Sequence, residues 1–196
     1  MFAEFIDRPI AGQFPEKHFG DTSPSPKWIK FTDKNYLEWV ASLKNGWEKY
    51  ATLIINFEFD ERAFVIAGGY GYLIDTAKRD LISIPLPYIT AAIADTQRKR
   101  VIFSTGYNLQ CLDFAGHHTI LYNERYFDDI EFVEIRNNKL FANYWYYQRN
   151  TEPFLFEIDL ETNEVKDSYP DNMHVEDNNE QSKLTTLQRL LKRLRL

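Results

Sequence analysis

A chain of 196 residues suits one domain, or one domain with a tail, and can bury most of its apolar surface without disulfides or metals. Its 15 Phe, 12 Tyr and 4 Trp favour pleated, half-buried surfaces over helix interiors, so the composition leans toward β-structure. Net charge is −6, unevenly placed: the last fourteen residues hold five of the 23 basic groups and no acid. Residues 1–182 therefore set 18 cations against 29 acids, a balance of −11 that disfavours nucleic acid and favours basic partners.

The single cysteine, Cys111, excludes an internal disulfide and a cysteine-rich zinc site, and reads as a small buried hydrophobe in a strand. Residues 1–10 carry Glu4, Asp7 and Arg8 among short apolar stretches and lack a basic start, so no secretory signal is expected. No run approaches the roughly 20 apolar residues that span a bilayer. The expected compartment is a reducing cytoplasm, with no membrane contact.

In chain order, residues 1–27 read as an irregular leader, with Gly12, Pro15, Gly20, Pro24 and Pro26 among polar residues. Residues 28–50 admit two readings. Trp28-Ile29-Lys30-Phe31 alternates like a strand, as do Trp39, Ala41 and Leu43. A helix from Asp33 to Lys44, capped by Asp33 and stopped at Gly46, competes with a strand across 33–46.

A loose repeat comes next. The runs 53–57, 64–67, 70–75 and 81–84 form one unit, and 89–94, 101–104, 109–113 and 119–122 a second. A third runs through 132–135, the Asn137-Asn138 turn, 139–147, 154–159 and Val165. Each unit reads as four strands, with Asp75, Asp113 or Asp159 closing the third. The 38- and 46-residue separations match propeller-type blades, whose sheets must stack to bury both faces. The three aspartates are read as turn starters that accept backbone N–H groups. The expected fold is all-β: an antiparallel meander of three to four propeller-like sheets, open or partial, over residues 28–168.

Residues 169–181 read as an acidic linker. Residues 182–196 read as an α-helix capped by Ser182, with Leu184, Leu187, Leu190, Leu191 and Leu194 on one stripe and a basic opposite face. The stripe suits packing on the β body or a partner chain. A membrane-surface or nucleic-acid tail is the competing reading, disfavoured by the acidic body.

Little here carries chemistry. His117-His118 suits a hairpin tip better than a metal site, and no His-x-x-x-His or Cys-x-x-Cys spacing exists. Gly68-Gly69-Tyr70-Gly71 superficially resembles a phosphate loop, but a strand follows it rather than a helix. Those glycines suit a bulge or close sheet-to-sheet approach. Acids cluster in turns, at Glu58, Asp60 and Glu61 and at Asp128, Asp129 and Glu131, where they read as solvated loop residues; a paired-carboxylate hydrolase needs two of them held across a cleft. No Gly-x-Ser-x-Gly elbow is present. The expectation is no enzyme, no cofactor and no metal. Asn143 to Arg149 packs four consecutive aromatics, so a strand there shows aromatics on both faces.

Trp39-Val40, Gly46 and above all Phe64-Val65-Ile66-Ala67-Gly68-Gly69-Tyr70-Gly71-Tyr72-Leu73-Ile74-Asp75 resemble a family of small uncharacterised bacterial proteins. In that family a Glu-Trp-Val-Gly segment precedes an apolar run ending in Gly-Gly-x-Gly-Tyr and Asp; this chain departs at Ala41. The resemblance covers residues 28–166 and implies a β-meander or propeller-like fold without transferable catalytic residues. More loosely, the chain resembles immunity proteins encoded beside secreted bacterial toxins. The expected role is therefore a non-enzymatic binding protein, an immunity protein occluding a basic toxin domain. The candidate contacts are Asp128, Asp129, Glu131, Tyr144, Trp145 and Tyr147. A ligand-sensing or scaffolding module of propeller type is the alternative.

Overall fold

The structure is a computed structural model, and it describes residues 2–20, 24–83, 85–123, 127, 129–145 and 152–168. The expected linker at 169–181 and helix at 182–196 lie outside the described residues, as do Asp128 and Tyr147. The chain divides into two units, 1–166 and 167–196. The sheets belong to the first unit, apart from the final residue of the last strand.

Among the described residues, sixteen strands form four four-stranded sheets. The first contains β1 (Phe2–Ile6), β2 (Glu16–Phe19), β3 (Lys27–Thr32) and β4 (Glu38–Leu43), in the order β1-β3-β4-β2. The second is a meander of β5 (Leu53–Phe57), β6 (Arg62–Ala67), β7 (Tyr70–Asp75) and β8 (Asp80–Leu81). The third is β9 (Ala91–Asp95), β10 (Arg100–Ser104), β11 (Leu109–Asp113) and β12 (His118–Tyr122). The fourth is β13 (Asp129–Arg136), β14 (Lys139–Trp145), β15 (Phe154–Asp159) and β16 (Val165–Asp167). All described pairings are antiparallel except β2 with β4, which is parallel. The first strands of neighbouring sheets approach one another, β1 beside β5 and β9 beside β13.

Two sequence expectations change. Residues 1–27 are not simply irregular, because they supply β1 and β2. The segment 33–46 holds a strand: Asp33 accepts the N–H groups of Asn35 (2.7 Å) and Leu37 (2.9 Å), closing a loop that turns β3 back into β4. This cap-like residue serves a hairpin rather than a helix.

The second sheet explains the uninterrupted apolar run of residues 63–67. Ala63, Val65, Ala67, Tyr72 and Ile74 face the first sheet, where Ile29, Phe31, Trp39, Ala41 and Leu43 meet them. Phe64, Ile66 and Leu73 face the third sheet, against Ile89, Val101, Phe103 and Leu112. A strand buried on both faces loses the apolar–polar alternation of a half-exposed one. Each fully buried large side chain contributes about 1.5–3 kcal/mol, so this central sheet anchors the stack.

The aspartates close the third strand of each meander as expected. Asp113 Oδ1 accepts the N–H groups of Ala115 and His117 (both 2.9 Å), and Asp159 Oδ1 those of Glu161 (2.9 Å) and Thr162 (3.0 Å). Asp75 Oδ1 accepts the N–H group of Lys78 at 2.9 Å. Gly68-Gly69 is the two-residue turn between β6 and β7, with φ of +55° and +85°. Gly71 permits close sheet approach, since a Cβ there would lie 2.5 Å from Ile89 Cδ1 and 2.7 Å from Phe64 Cζ.

These turns share one end of the stack, where ion pairs join successive sheets. Lys34 meets Glu61 at 3.3 Å, Lys99 meets Asp60, and Arg98 donates to Asn138 Oδ1 at 3.0 Å beside Glu161.

The same turns predict acid sensitivity. The backbone N–H groups of Thr162 and Glu161 hold the Asp159 carboxyl below its ordinary value of 3.8. Burial opposes ionisation of Asp113, but N–H donors from His117 and Ala115 and the His117 ring outweigh it and lower that carboxyl too. The Lys139 ammonium, 2.6 Å away, lowers Glu157 from 4.5. A carboxylate with a depressed folded-state value contributes stability in full above its unfolded value and loses it as pH falls through the folded one. Urea midpoints are therefore expected to hold steady down to about pH 5 and to fall below about pH 4. Asp159→Asn should flatten that decline; an equal slope in the variant would contradict this origin.

Candidate functional site

The end opposite the aspartate turns carries the connections between sheets, the usual location for binding residues on a rigid scaffold. The connection after β4 runs Lys44-Asn45-Gly46-Trp47-Glu48-Lys49-Tyr50 and is stitched to the Gly68-Gly69 turn. Gly46 N–H donates to Ala67 O (3.1 Å) and Trp47 N–H to Gly68 O (3.0 Å). Gly68 N–H reaches Thr52 Oγ1 (3.0 Å), and Gly69 N–H reaches Ala51 O (2.9 Å). From the connection after β8, Ile89 N–H donates to Gly69 O (2.9 Å) and Leu86 exchanges two bonds with Gly71. Contact at Gly46 is so close that an added Cβ would sit 2.0 Å from Gly68 O.

This mesh presents an aromatic cup. Trp47, Tyr50, Tyr70 and Tyr88, with Gly46 and Gly68, line a hollow of about 180 Å³. Trp47 and Tyr50 lie near parallel, with centroids 6.4 Å apart, and Tyr88 meets Tyr50 edge-on at 5.9 Å. Trp47 is 68% exposed, which is unusual for so large an apolar surface. Lys49 Nζ stands 5.1 Å from the centroids of both Trp47 and Tyr50, and Lys44 Nζ 5.1 Å from that of Tyr70. Lys44 is fixed from below: the buried Tyr72 hydroxyl donates to its carbonyl at 2.9 Å. Burial, with Tyr70 nearby, pushes that phenol up to about 12, so it stays a donor at any ordinary pH.

Lys44 also lines a second hollow, of about 220 Å³, with Arg8, His18, Phe19, Pro24, Pro26 and Trp28 among its walls. His18 Nδ1 shares a hydrogen bond with Ser42 Oγ at 2.6 Å, and its ring meets Trp28 edge-on at 6.0 Å.

The residues expected from sequence lie elsewhere, on the fourth sheet. Asp129 pairs in register with Trp145, and Glu131 with Asn143, so these four share its outer face. A register shift between Phe132 and Glu134 puts Val133 in a bulge where it is 56% exposed, and Leu155 on β15 is 63% exposed. Tyr144 is a correction. Alternation turns it to the opposite face, where it is fully buried against Phe127 (5.3 Å), Phe154 (5.5 Å) and Phe156 (6.4 Å), so it holds the core and offers nothing to a partner. Cys111 is buried in β11, its sulfur 2.9 Å from Thr119 Oγ1. Among the described residues no group of three His, Cys, Asp or Glu side chains could hold a metal, and no helix is long and apolar enough to cross a membrane.

No family model matches this chain, and no curated protein matches it. Among solved structures, the N-terminal domain of Nup159 is similar over 80% of this chain and 43% of its own, with a TM-score of 0.42 and 16% identity. The chain thus spans less than half of that domain. The site stands on its own geometry.

Sequence reasoning does not single out the aromatic cup. Its signal is present in Trp47, Lys49 and Tyr50, where aromatics and cations interleave beside a glycine. Tyr70 and Tyr88 join them only through the sheet stacking.

Proposed function

We propose that this chain is a non-enzymatic binding protein, built as an open propeller-like stack, whose fourth sheet engages a basic protein surface. The specific form proposed is a cytoplasmic immunity protein that occludes a bacterial toxin. The observation that supports it is the pairing of exposed Val133 and Leu155 with Asp129, Glu131 and Trp145 on one face. Apolar and aromatic anchors inside an acidic rim suit a cationic partner: the anchors hold it, and the charge speeds and orients its approach.

The test is co-expression with a toxin encoded beside this chain. The wild-type chain should restore growth. Glu131→Lys with Leu155→Arg should weaken the complex by at least about 30-fold, the equivalent of losing one hot-spot contact of about 2 kcal/mol, without moving the thermal midpoint. Failure of the wild-type chain to bind the toxin overturns the immunity role.

The second reading is a ligand-sensing module. The aromatic cup supports it, being a concave, preformed, mostly apolar hollow with a few polar groups at its margin.

A further inference from the structure

The aromatic end combines two features that the acidic composition does not lead one to expect together. The first is the cup itself. The second is a group of cations, Lys44, Lys49 and Arg8, beside hollows that no carboxylate lines, in a body that is otherwise strongly acidic. Neither Lys44 nor Lys49 has a carboxylate partner among the described residues, and both rest against aromatic rings instead. Arg8, in the adjoining hollow, likewise has no ion pair among the described residues. His18 adds an imidazole there, 3.8 Å from Glu16. Several cations elsewhere meet acids, Arg62 with Asp75, Arg100 with Asp95 and Lys139 with Glu157, while Arg79 rests on the Trp39 ring.

Aromatic cups are often suited to alkylammonium ligands, because ring faces attract cations. Here two ammonium groups of the chain already stand on those rings, so a third cation entering the cup meets like charge on two sides. The arrangement instead suits a flat ring in the cup with an anion outside it. Lys44 links the two hollows: it is among the walls of the cationic one, and its ammonium stands over Tyr70, which lines the aromatic one.

Resting on the ligand-sensing reading, we infer that this end binds a planar aromatic ring carrying a phosphate, the chemistry of an aryl phosphate or a nucleoside monophosphate. The ring stacks among Trp47, Tyr50 and Tyr88, and the phosphate meets Lys44 and Arg8. Stacking on aromatic side chains tolerates any flat ring, and a lysine ammonium serves phosphate as a compact point charge. Tyr72 and the Gly46–Gly68 contact preorganise the site, since they fix the backbone that carries Lys44 and Trp47.

Isothermal titration of the whole chain with AMP, UMP and phenyl phosphate tests this, beside adenosine and inorganic phosphate alone. At least one ring phosphate should bind, at least tenfold tighter than adenosine and than phosphate, and more weakly as salt rises. Lys44→Met keeps the aliphatic stem and should cost at least tenfold; Arg8→Gln, on a separate segment, provides a second test of the anion. Tyr88→Ala should weaken the ring phosphates while leaving the thermal midpoint in place. Adenosine binding as tightly as AMP overturns the anion half and leaves the cup as a ligand site. No binding by any of the five overturns both this inference and the ligand-sensing reading. The fourth-sheet proposal is unaffected by either result, because its residues lie on other strands.

Discussion

Trp39→Ala is expected to lower the unfolding free energy by about 3–5 kcal/mol, the range for emptying a large aromatic site in a core. Trp39 is 1% exposed and stacks on Phe31 at 4.2 Å with 12° between rings, so truncation removes both the buried area and a ring partner. The site cannot easily collapse. Sheet pairing holds Phe31 and Trp39 opposite each other in register, and the guanidinium of Arg79 reaches over the indole from the second sheet at 6.0 Å. Trp39→Phe should retain much of the stacking and cost less than half as much. Urea unfolding at constant slope reads both values. A loss under about 1 kcal/mol for the alanine variant would mean that the first and second sheets are not joined through this ring. For a domain whose total stability is about 5–15 kcal/mol, the expected loss would leave a substantial fraction unfolded at physiological temperature.

Trp39 also shows which parts of the fold sequence reasoning reaches. The central runs, such as residues 63–67 and 70–75, carry strong local signals: β-rich composition, turn glycines and aspartates that bond their own following amides. Those are short-range effects, so Asp113, Asp159, Gly68-Gly69 and Asn137-Asn138 all sit where their chemistry puts them. β1 and β2 have no such signal. Glu16, Lys17 and His18 are exposed, and β2 exists because it pairs in parallel with β4, a long-range choice with no local mark. Segment 33–46 is ambiguous for a related reason. Asp33 offers the same bond to a hairpin loop as to a helix N-terminus, and tertiary burial of Trp39, Ala41 and Leu43 decides between them. For the fourth sheet, alternation along 143–145 separates Trp145 from Tyr144, which composition alone groups together. The cup is hidden from sequence because its four rings come from connections and a strand that meet only when the sheets stack.

Asp95→Ala carries the other large expected effect, again about 3–5 kcal/mol, for a different physical reason. Asp95 is 1% exposed at the end of β9, where Oδ2 accepts Arg100 Nε at 2.8 Å and stands 3.5 Å from Arg98 Nη1, while Oδ1 accepts the Arg98 N–H at 3.2 Å. Removing the carboxylate strands a largely buried guanidinium. Arg100 Nη2 already lacks a hydrogen-bond partner, and its Nη1 has only Cys111 Sγ at 3.7 Å. The cost is that of an uncompensated buried charge rather than of a lost contact. Two comparisons separate these causes. Arg100→Met in the Asp95→Ala background removes the orphaned charge, so the double variant should be more stable than Asp95→Ala alone. High salt should recover little of the loss, because a buried pair is poorly screened. By contrast, Asp113→Asn, at an exposed turn with a similar bonding pattern, should cost less than about 1 kcal/mol. Equal losses at positions 95 and 113 would show that turn bonding, and not charge burial, sets the cost. The network also reaches beyond its own sheet, since Arg98 donates onward to Asn138 in the turn that leads into β14. Loss of Asp95 should therefore loosen the fourth sheet as well as the third, and hydrogen exchange should quicken at Asn138 and Leu160, whose N–H donates to Asn138 O at 2.8 Å.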